Sequence, residues 1–294
     1  MRTITSISEL RQTLDEIRFS EEADRRVGFV PTMGYLHDGH VSLIEHAART
    51  NDHVIVSLFV NPLQFAQNED LGTYPRDPDG DAAKAETAGA QILFCPDPSE
   101  MYPLGQAGVL TTVAVPELAG VMEGASRPTH FAGVCTVVAK LFNLVGPCSA
   151  YFGEKDYQQL AIIRQMALDL SFPVDVIGCP TVREPDGLAM SSRNVYLSDD
   201  ERRVAPALNA ALRAGAQLIR EGETSRGIVL DVMTEVIASQ SLGTLDYFEI
   251  TDPLTLFPAH TVGPDCRIFG ALRFSRARLI DNISASLANE VVDA

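Results

Sequence analysis

The chain has 294 residues, a formal net charge of −16 and 46% hydrophobic side chains. That length holds one large or two ordinary domains with a real core. The acidity excludes a general nucleic-acid-binding surface, which needs clustered basic side chains against phosphate, so any phosphate site has to be local. Five cysteines, Cys95, Cys135, Cys148, Cys179 and Cys266, are odd in number and never spaced Cys-x-x-Cys. They are expected to be reduced, mostly buried thiols of a cytoplasmic protein. The stretch MRTITSISELRQTL lacks an apolar signal core, and no run is long enough to span a bilayer.

In chain order, the first apolar run covers 27–30 and reads as a strand. It leads through Pro31-Thr32-Met33-Gly34-Tyr35-Leu36-His37-Asp38-Gly39-His40 into a helix expected over 40–49. The near-continuous apolar run 53–60 predicts a buried parallel strand. A helix over 81–88, a strand over 91–94, a long helix over 131–145 stopped by Gly146-Pro147, a strand at 150–152, a helix over 158–170 and a strand at 174–177 follow. This alternation implies a Rossmann-like, doubly wound parallel sheet, an α/β fold, over 1–180. Beyond it the pattern changes to helices over 201–221 and 227–239, the second capped by Thr224 or Ser225, and short strands at 245–250, 266–272 and 278–280. These predict a smaller α+β domain over 181–294, with the boundary marked by Pro180 and the turn Glu184-Pro185-Asp186-Gly187.

The segment after the first strand carries the clearest chemistry. A helix start offers unpaired N–H groups and partial positive charge to an anion. Gly34 and Gly39 allow a tight turn and close backbone approach, and His37 and His40, three apart, share one helix face. A surface pair or a metal site are the other readings of two such histidines, the metal site disfavoured because no cysteine stands at ligand spacing.

Further segments are weaker singly. Asn61-Pro62-Leu63-Gln64-Phe65 places amides at a strand end, to read a polar substrate or simply to build a turn. Arg127-Pro128-Thr129-His130 enters a helix start and suits an anion or nothing. Gly153-Glu154-Lys155-Asp156-Tyr157-Gln158-Gln159 ends a strand; Lys155 is a mobile charge for phosphate and Gln159 lies one turn on, unless the segment is a solvated charged turn. Met190-Ser191-Ser192-Arg193 follows a glycine turn as a loop suited to close on a triphosphate, unless a serine merely caps a turn. The acidic stretch 74–81 does not match a calcium loop, and a capped turn is the expectation there.

Jointly and in this order, PTMGYLHDGH, FVNPLQF, FGEKDYQQL and DGLAMSSRN resemble the pantothenate synthetase (pantoate–β-alanine ligase) family, from Pro31 to Asn282. That family belongs to a wider group of nucleotidyl-transferring Rossmann-like enzymes. The resemblance implies ATP-dependent ligation of pantoate and β-alanine through a pantoyl adenylate, with Mg2+, release of AMP and pyrophosphate, and a homodimer in the cytoplasm. It implies an ATP site of Met33, Gly34, Tyr35, Leu36, His37, Asp38, Gly39, His40, Gly153, Glu154, Lys155, Asp156, Val182, Met190, Ser191, Ser192 and Arg193, and catalytic roles for His37, His40, Lys155 and Arg193. Gln64 and Gln159 are implied to bind pantoate, and Arg127 to support that region or the β-alanine region. No protein ligand of Mg2+ is assigned. Thr129 stands where the family usually has glycine, and Gly80 and Lys84 replace more polar or acidic side chains. The last two weaken any metal role for 77–84, leaving Mg2+ to ATP and water. A nucleotidyltransferase that leaves the nucleotide on its product, a synthetase acting on tRNA and a non-catalytic nucleotide sensor are the competing readings.

Overall fold

The computed structural model describes residues 1–19, 25–66 and 70–286. The chain divides into two compact units, Met1–Glu154 with Gln158–Cys179, and Lys155–Tyr157 with the chain from Pro180 onward.

The first unit is built on β1 (Arg2–Ile4), β2 (Val27–Thr32), β3 (His53–Leu58), β4 (Ile92–Phe94), β5 (Cys148–Gly153) and β6 (Val174–Cys179). They form one parallel sheet in the order β1-β4-β3-β2-β5-β6. The strand order reverses at β2, whose register with β3 runs from Val27↔His53 to Thr32↔Leu58, while Gly28↔Ser149 and Phe29↔Ala150 join it to β5. Ligands in such sheets sit beyond the strand C-termini at this switch point.

Helices α1 (Ile7–Arg18), α2 (Asp38–Thr50), α3 (Pro78–Thr87), α4 (His130–Val145) and α5 (Tyr157–Asp169) connect the strands. Leu43, Ile44 and Ala47 of α2 form one buried stripe and join Val30, Val54 and Val56 in a core cluster. Burying each such Leu or Ile is worth about 1.5–3 kcal/mol. The expected first helix gains two residues at its start, because His37 rather than a later residue is the N-cap. Gly39 therefore lies in that first turn, and the left-handed backbone falls instead on Gly34 (φ +84°) and Tyr35 (φ +53°). Strand β1 and helix α1 had no expectation. β1 is three residues long with two exposed, and only its pairing with β4 identifies it.

The second unit carries α6 (Asp199–Val204), α7 (Ala207–Arg220) and α8 (Arg226–Ala238), then an antiparallel sheet of β7 (Thr244–Thr251), β8 (Arg267–Arg273) and β9 (Arg278–Ser284) in that order. The single helix expected over 201–221 is two, because Pro206 has no N–H to give and its ring crowds the preceding turn. Ser225 is the N-cap position of α8 but makes no side-chain cap bond. Strand β9 runs four residues past the expected 280. The polar pair Asp281-Asn282 hides it from a hydropathy reading, yet both are buried, at 4% and 2% exposure. Residues 287–294 of the expected second domain lie outside the described residues. All five cysteines are free. Burial pushes the thiols of Cys95, Cys135 and Cys179 up to about 11 and that of Cys148 to about 12, so none of these four is an activated nucleophile.

Candidate active site

The loop between β2 and α2 is fixed from below by a carboxylate on α3. Asp81, 2% exposed, accepts from the backbone N–H of Tyr35 at 2.8 Å and of Leu36 at 2.6 Å. Lys84, one turn further along α3, donates to the Leu36 carbonyl at 2.6 Å. Thr32 Oγ1 donates to Ser57 O at 2.8 Å and accepts from Gly34 N at 3.2 Å, which ties the loop to β3. These bonds hold two consecutive residues in the left-handed region, one of them a tyrosine, for which that backbone is unfavourable. The sequence by itself makes Asp81 only part of a capped turn. The turn is there, with Asp77 accepting from Gly80 N at 3.2 Å, but the brace on the loop has no sequence signature beyond an acid in a first helical turn.

Beyond the loop, the His37 and His40 rings lie 4.1 Å apart, centroid to centroid, tilted by 38°. His37 N donates to His40 Nδ1 across a long 3.4 Å. With Nδ1 accepting, the ring proton of neutral His40 is on Nε2, which makes that nitrogen a donor. Met33 and Gly39 are half-buried or nearly so and Asp38 is exposed on the same turn. A partly open imidazole pair on a helix start is suited to anionic oxygen.

At the end of β3, a 3-10 turn Pro62–Gln64 carries the amide pair. Asn61, fully buried, is consumed by the fold: it donates to Gln64 Oε1 (2.9 Å) and Gly133 O (3.1 Å) and accepts from Tyr102 Oη (2.8 Å) and Leu63 N (3.3 Å). Among the described residues the side chain of Gln64 is held by its oxygen alone, leaving its NH2 group. Arg127 Nη2 (3.3 Å) and His130 Nδ1 (3.0 Å) both meet the Gln64 carbonyl, so the weak Arg-Pro-Thr-His segment does converge on Gln64. Thr129 has φ −97° and ψ −11°, a backbone that does not require glycine. Gly133 was missed. A Cβ there would meet Leu63 O at 2.1 Å, so only glycine lets α4 lie against this turn.

The two glutamines after β5 separate clearly. Gln158 is buried and spends its amide on Leu118 O (2.9 Å), Val121 O (2.8 Å) and Glu123 N (3.1 Å). Gln159 is half-buried and makes no side-chain hydrogen bond among the described residues. Gly153 ends β5, and a Cβ there would meet no described heavy atom within 4 Å. Glu154 follows it, half-buried.

In the second unit, Lys155 has a 20% exposed side chain with Nζ 3.3 Å from Asp156 Oδ1. Residues 182–190 form a small hairpin: Met190 N donates to Val182 O (3.0 Å), Glu184 N to Leu188 O (2.8 Å), and Arg183 bridges Ala189. This brings Val182 and Met190 side by side. Ser191 caps the following turn, accepting from Arg193 N at 3.3 Å, while Ser192 and Arg193 stay half-exposed on it. The capping role does not exhaust Ser191, whose hydroxyl still has a hydrogen to donate.

No group of three or more His, Cys, Asp or Glu side chains among the described residues is arranged to hold a metal ion. In the 77–84 stretch the carboxylates of Asp77 and Asp81 are committed to backbone N–H groups. That donor set does not fit a resident octahedral Mg2+.

A doubly wound sheet whose switch-point strand runs into a helix start bearing donors, with separate basic and hydroxyl-bearing turns, is the layout of a nucleotide-handling α/β enzyme. The family model for pantoate-beta-alanine ligase matches residues 2–284. Pantothenate synthetase of Heliobacterium modesticaldum is 49% identical over 283 residues, covering 96% of this chain and 99% of that protein. The one from Nitratidesulfovibrio vulgaris is 50% identical over 284 residues, covering 96% and 98%. Among solved structures, pantothenate synthetase from Thermus thermophilus superposes with a TM-score of 0.89 at 48% identity, covering 97% of this chain and 99% of its own. A Francisella tularensis pantoate-beta-alanine ligase complexed with beta-gamma ATP and beta-alanine gives 0.77 at 34% identity, covering 97% and 98%. The chain belongs to the pantoate–β-alanine ligase family and is an enzyme of that class.

Proposed function

We propose that this protein joins pantoate to β-alanine in two stages, with the loop 33–40 and the segments 153–156 and 182–193 binding ATP and with Gln64 and Gln159 binding pantoate. The observation that carries the assignment is the braced loop ending in the paired imidazoles of His37 and His40 on a helix start at the switch point. The Francisella relative bound to beta-gamma ATP and beta-alanine supports the same substrates here.

A carboxylate is a poor acyl donor because oxide is a poor leaving group. In the first stage a pantoate carboxylate oxygen attacks the α-phosphorus, the bond from that phosphorus to the β-phosphate oxygen breaks, and pyrophosphate leaves with the electron pair. Charge builds on the phosphoryl oxygens, and the His40 Nε2–H, the Lys155 ammonium and the Arg193 guanidinium stabilise it as fixed donors; His40 needs to transfer no proton. In the second stage the neutral amine of β-alanine attacks the acyl carbon. The tetrahedral adduct collapses, its C–O bond to phosphate breaks, AMP departs, and the surplus amine proton passes to water. Exclusion of bulk water between the stages protects the adenylate. Arg127 and His130 act on pantoate through the backbone of Gln64. Mg2+, if it accompanies ATP, would be held by the nucleotide and water rather than by protein carboxylates, and would supply charge neutralisation at the phosphates.

We place the enzyme in the cytoplasm as a homodimer. No helix among the described residues is long and apolar enough to cross a membrane, and sedimentation equilibrium checks the dimer. The direct test of the reaction is pantoate-dependent exchange of labelled pyrophosphate into ATP without β-alanine, followed by product analysis with it. Exchange with AMP release is expected. A product that keeps its nucleotide, or no exchange from folded protein, would overturn the reading.

A further inference from the structure

Lys155–Tyr157 lies within a stretch whose neighbours on both sides belong to the first unit, yet the segment itself packs into the second. Two contacts made by buried polar side chains account for this. Asn282 on β9, 2% exposed, donates from Nδ2 to the Lys155 carbonyl at 2.8 Å. Its Oδ1 accepts from Arg267 Nε at 2.6 Å. The Arg267 guanidinium in turn lies 3.6 Å over the Tyr157 ring, and Tyr157 meets Phe269 edge-on at 6.0 Å. Both amide ends of Asn282 therefore act on the lysine segment, one directly and one through Arg267.

Its neighbour on the strand turns the other way, as successive strand residues must. Asp281, 4% exposed, accepts both Nη1 and Nη2 of Arg183 at 2.7 and 3.0 Å and Asn209 Nδ2 at 3.2 Å. Arg183 Nη1 also donates to Gly187 O at 3.2 Å, inside the hairpin that pairs Val182 with Met190. One short stretch of β9 thus anchors both nucleotide-contacting segments of the second unit.

We propose that Asn282 is the positioning residue for Lys155: its amide donor orients the Lys155 peptide so that the ammonium is presented to the nucleotide phosphates. The proposal rests on the assignment of Lys155 to ATP. Burying a primary amide in a strand is costly unless both ends are bonded, and here one bond goes to the Lys155 carbonyl and the other to Arg267, which stacks on Tyr157 of the same segment. Asn282 also opens an Asn-Ile-Ser sequon, but its side chain is buried and doubly bonded, so it is no acceptor for a glycan in the folded protein.

Asn282→Asp is the informative variant. It is isosteric and keeps an acceptor for Arg267, and it replaces the donor to Lys155 O by a repelling oxygen. The measurement is a double-mutant cycle with Lys155→Ala, reading the dissociation constant of βγ-methylene ATP by calorimetry and the turnover of pyrophosphate exchange. Asn282→Asp is expected to weaken the analogue about tenfold and lower exchange by a similar factor, with pantoate affinity nearly unchanged and the thermal midpoint lowered, because the buried Lys155 carbonyl loses its donor. Added to Lys155→Ala it is expected to change analogue affinity less than twofold, because it acts through a side chain already removed. Full additivity, or a wild-type Asn282→Asp, overturns the inference while the Lys155 assignment stands. A wild-type Lys155→Ala overturns that assignment and the inference with it. Should Asn282→Asp not fold, Asn282→Ser, too short to reach Lys155 O and adding no charge, is read by the same criteria.

Discussion

The brace between Asp81 and the loop proposed to bind the nucleotide predicts a specific defect in ATP binding. In Asp81→Asn the amide keeps one acceptor but sets an NH2 group against the other backbone N–H, so one bond is lost and two donors face each other. Hydrogen bonds to a charged group are worth about 1.5–3 kcal/mol each, and a buried donor left unpaired costs about 1–3 kcal/mol. The bonds here are 2.8 and 2.6 Å and the acceptor is 2% exposed, so about 2–3 kcal/mol should be lost from stability. Most of this energy holds the left-handed pair Gly34 and Tyr35 (φ +84° and +53°), so it is paid again when ATP has to order the loop. About 2 kcal/mol corresponds to roughly 30-fold in affinity. Lys84 still grips the Leu36 carbonyl, which limits the loss, so an ATP KM raised about 10–30-fold is expected, with the pantoate KM changed less than twofold. Pyrophosphate exchange at varied ATP and pantoate, with urea denaturation in parallel, measures both quantities. A stability loss without a change in ATP KM would refute the idea that nucleotide binding depends on this loop geometry.

Two further outcomes are expected. Gln158→Leu should cost about 2–4 kcal/mol, because three backbone groups lose their buried partner, whereas Gln159→Leu should leave the urea midpoint nearly unchanged and raise the pantoate KM about tenfold, roughly the cost of one lost hydrogen bond; the reverse pattern would mean the assignment had picked the wrong glutamine. Glu201 gives a pH signature: the backbone N–H of Ser198 and of Ser275 pull its carboxyl from 4.5 down to about 2. Its contribution is therefore complete above 4.5 and lost as pH falls through about 2, so the gap in urea midpoint between wild type and Glu201→Gln should be constant from neutral pH to 5 and close below it. A gap that does not change with pH would remove the charge from the explanation.

The alternation of apolar runs and amphipathic segments made the parallel sheet legible, because buried parallel strands such as 53–58 are continuous apolar runs and their periods differ from those of helices. What escaped were elements defined by partners. β1 is a strand only because β4 pairs with it. The far half of β9 is a strand although Asp281 and Asn282 are polar, since Arg183, Asn209, Arg267 and Lys155 O satisfy them. Pro206 divides the helix expected over 201–221 into a short charged piece before it and a strongly amphipathic one after it. Among the site segments, position on strand ends and helix starts was readable, since it follows from the order of elements. The bracing acids and glycines were not: Asp81 and Gly133 act on backbone groups 46 and 70 residues away, and no local spacing encodes that.

The amide pairs show how such ambiguity resolves. Asn61 and Gln64 are equivalent as sequence letters, and what separates them is how much hydrogen-bonding capacity the fold leaves. Asn61 Oδ1 is identified as oxygen because the Leu63 N–H can only donate to it, at 3.3 Å. Its other end is therefore the NH2 group, which also meets the Gly133 carbonyl at 3.1 Å. The Gln64 atom that faces this NH2 at 2.9 Å must then be Oε1, which leaves Nε2 as the outward group. Gln64 is thus a donor, suited to an oxygen of pantoate and above all to a carboxylate oxygen. The corollary is an ordering of variants. Gln64→Ala removes the donor and should raise the pantoate KM about tenfold, the worth of one such bond. Gln64→Glu is closer in size but puts a carboxylate where the donor stood, against an anionic substrate, and should raise it further. If Glu is the milder substitution in pyrophosphate exchange at varied pantoate, Gln64 accepts from a pantoate hydroxyl instead, and the orientation deduced from Asn61 does not survive substrate binding.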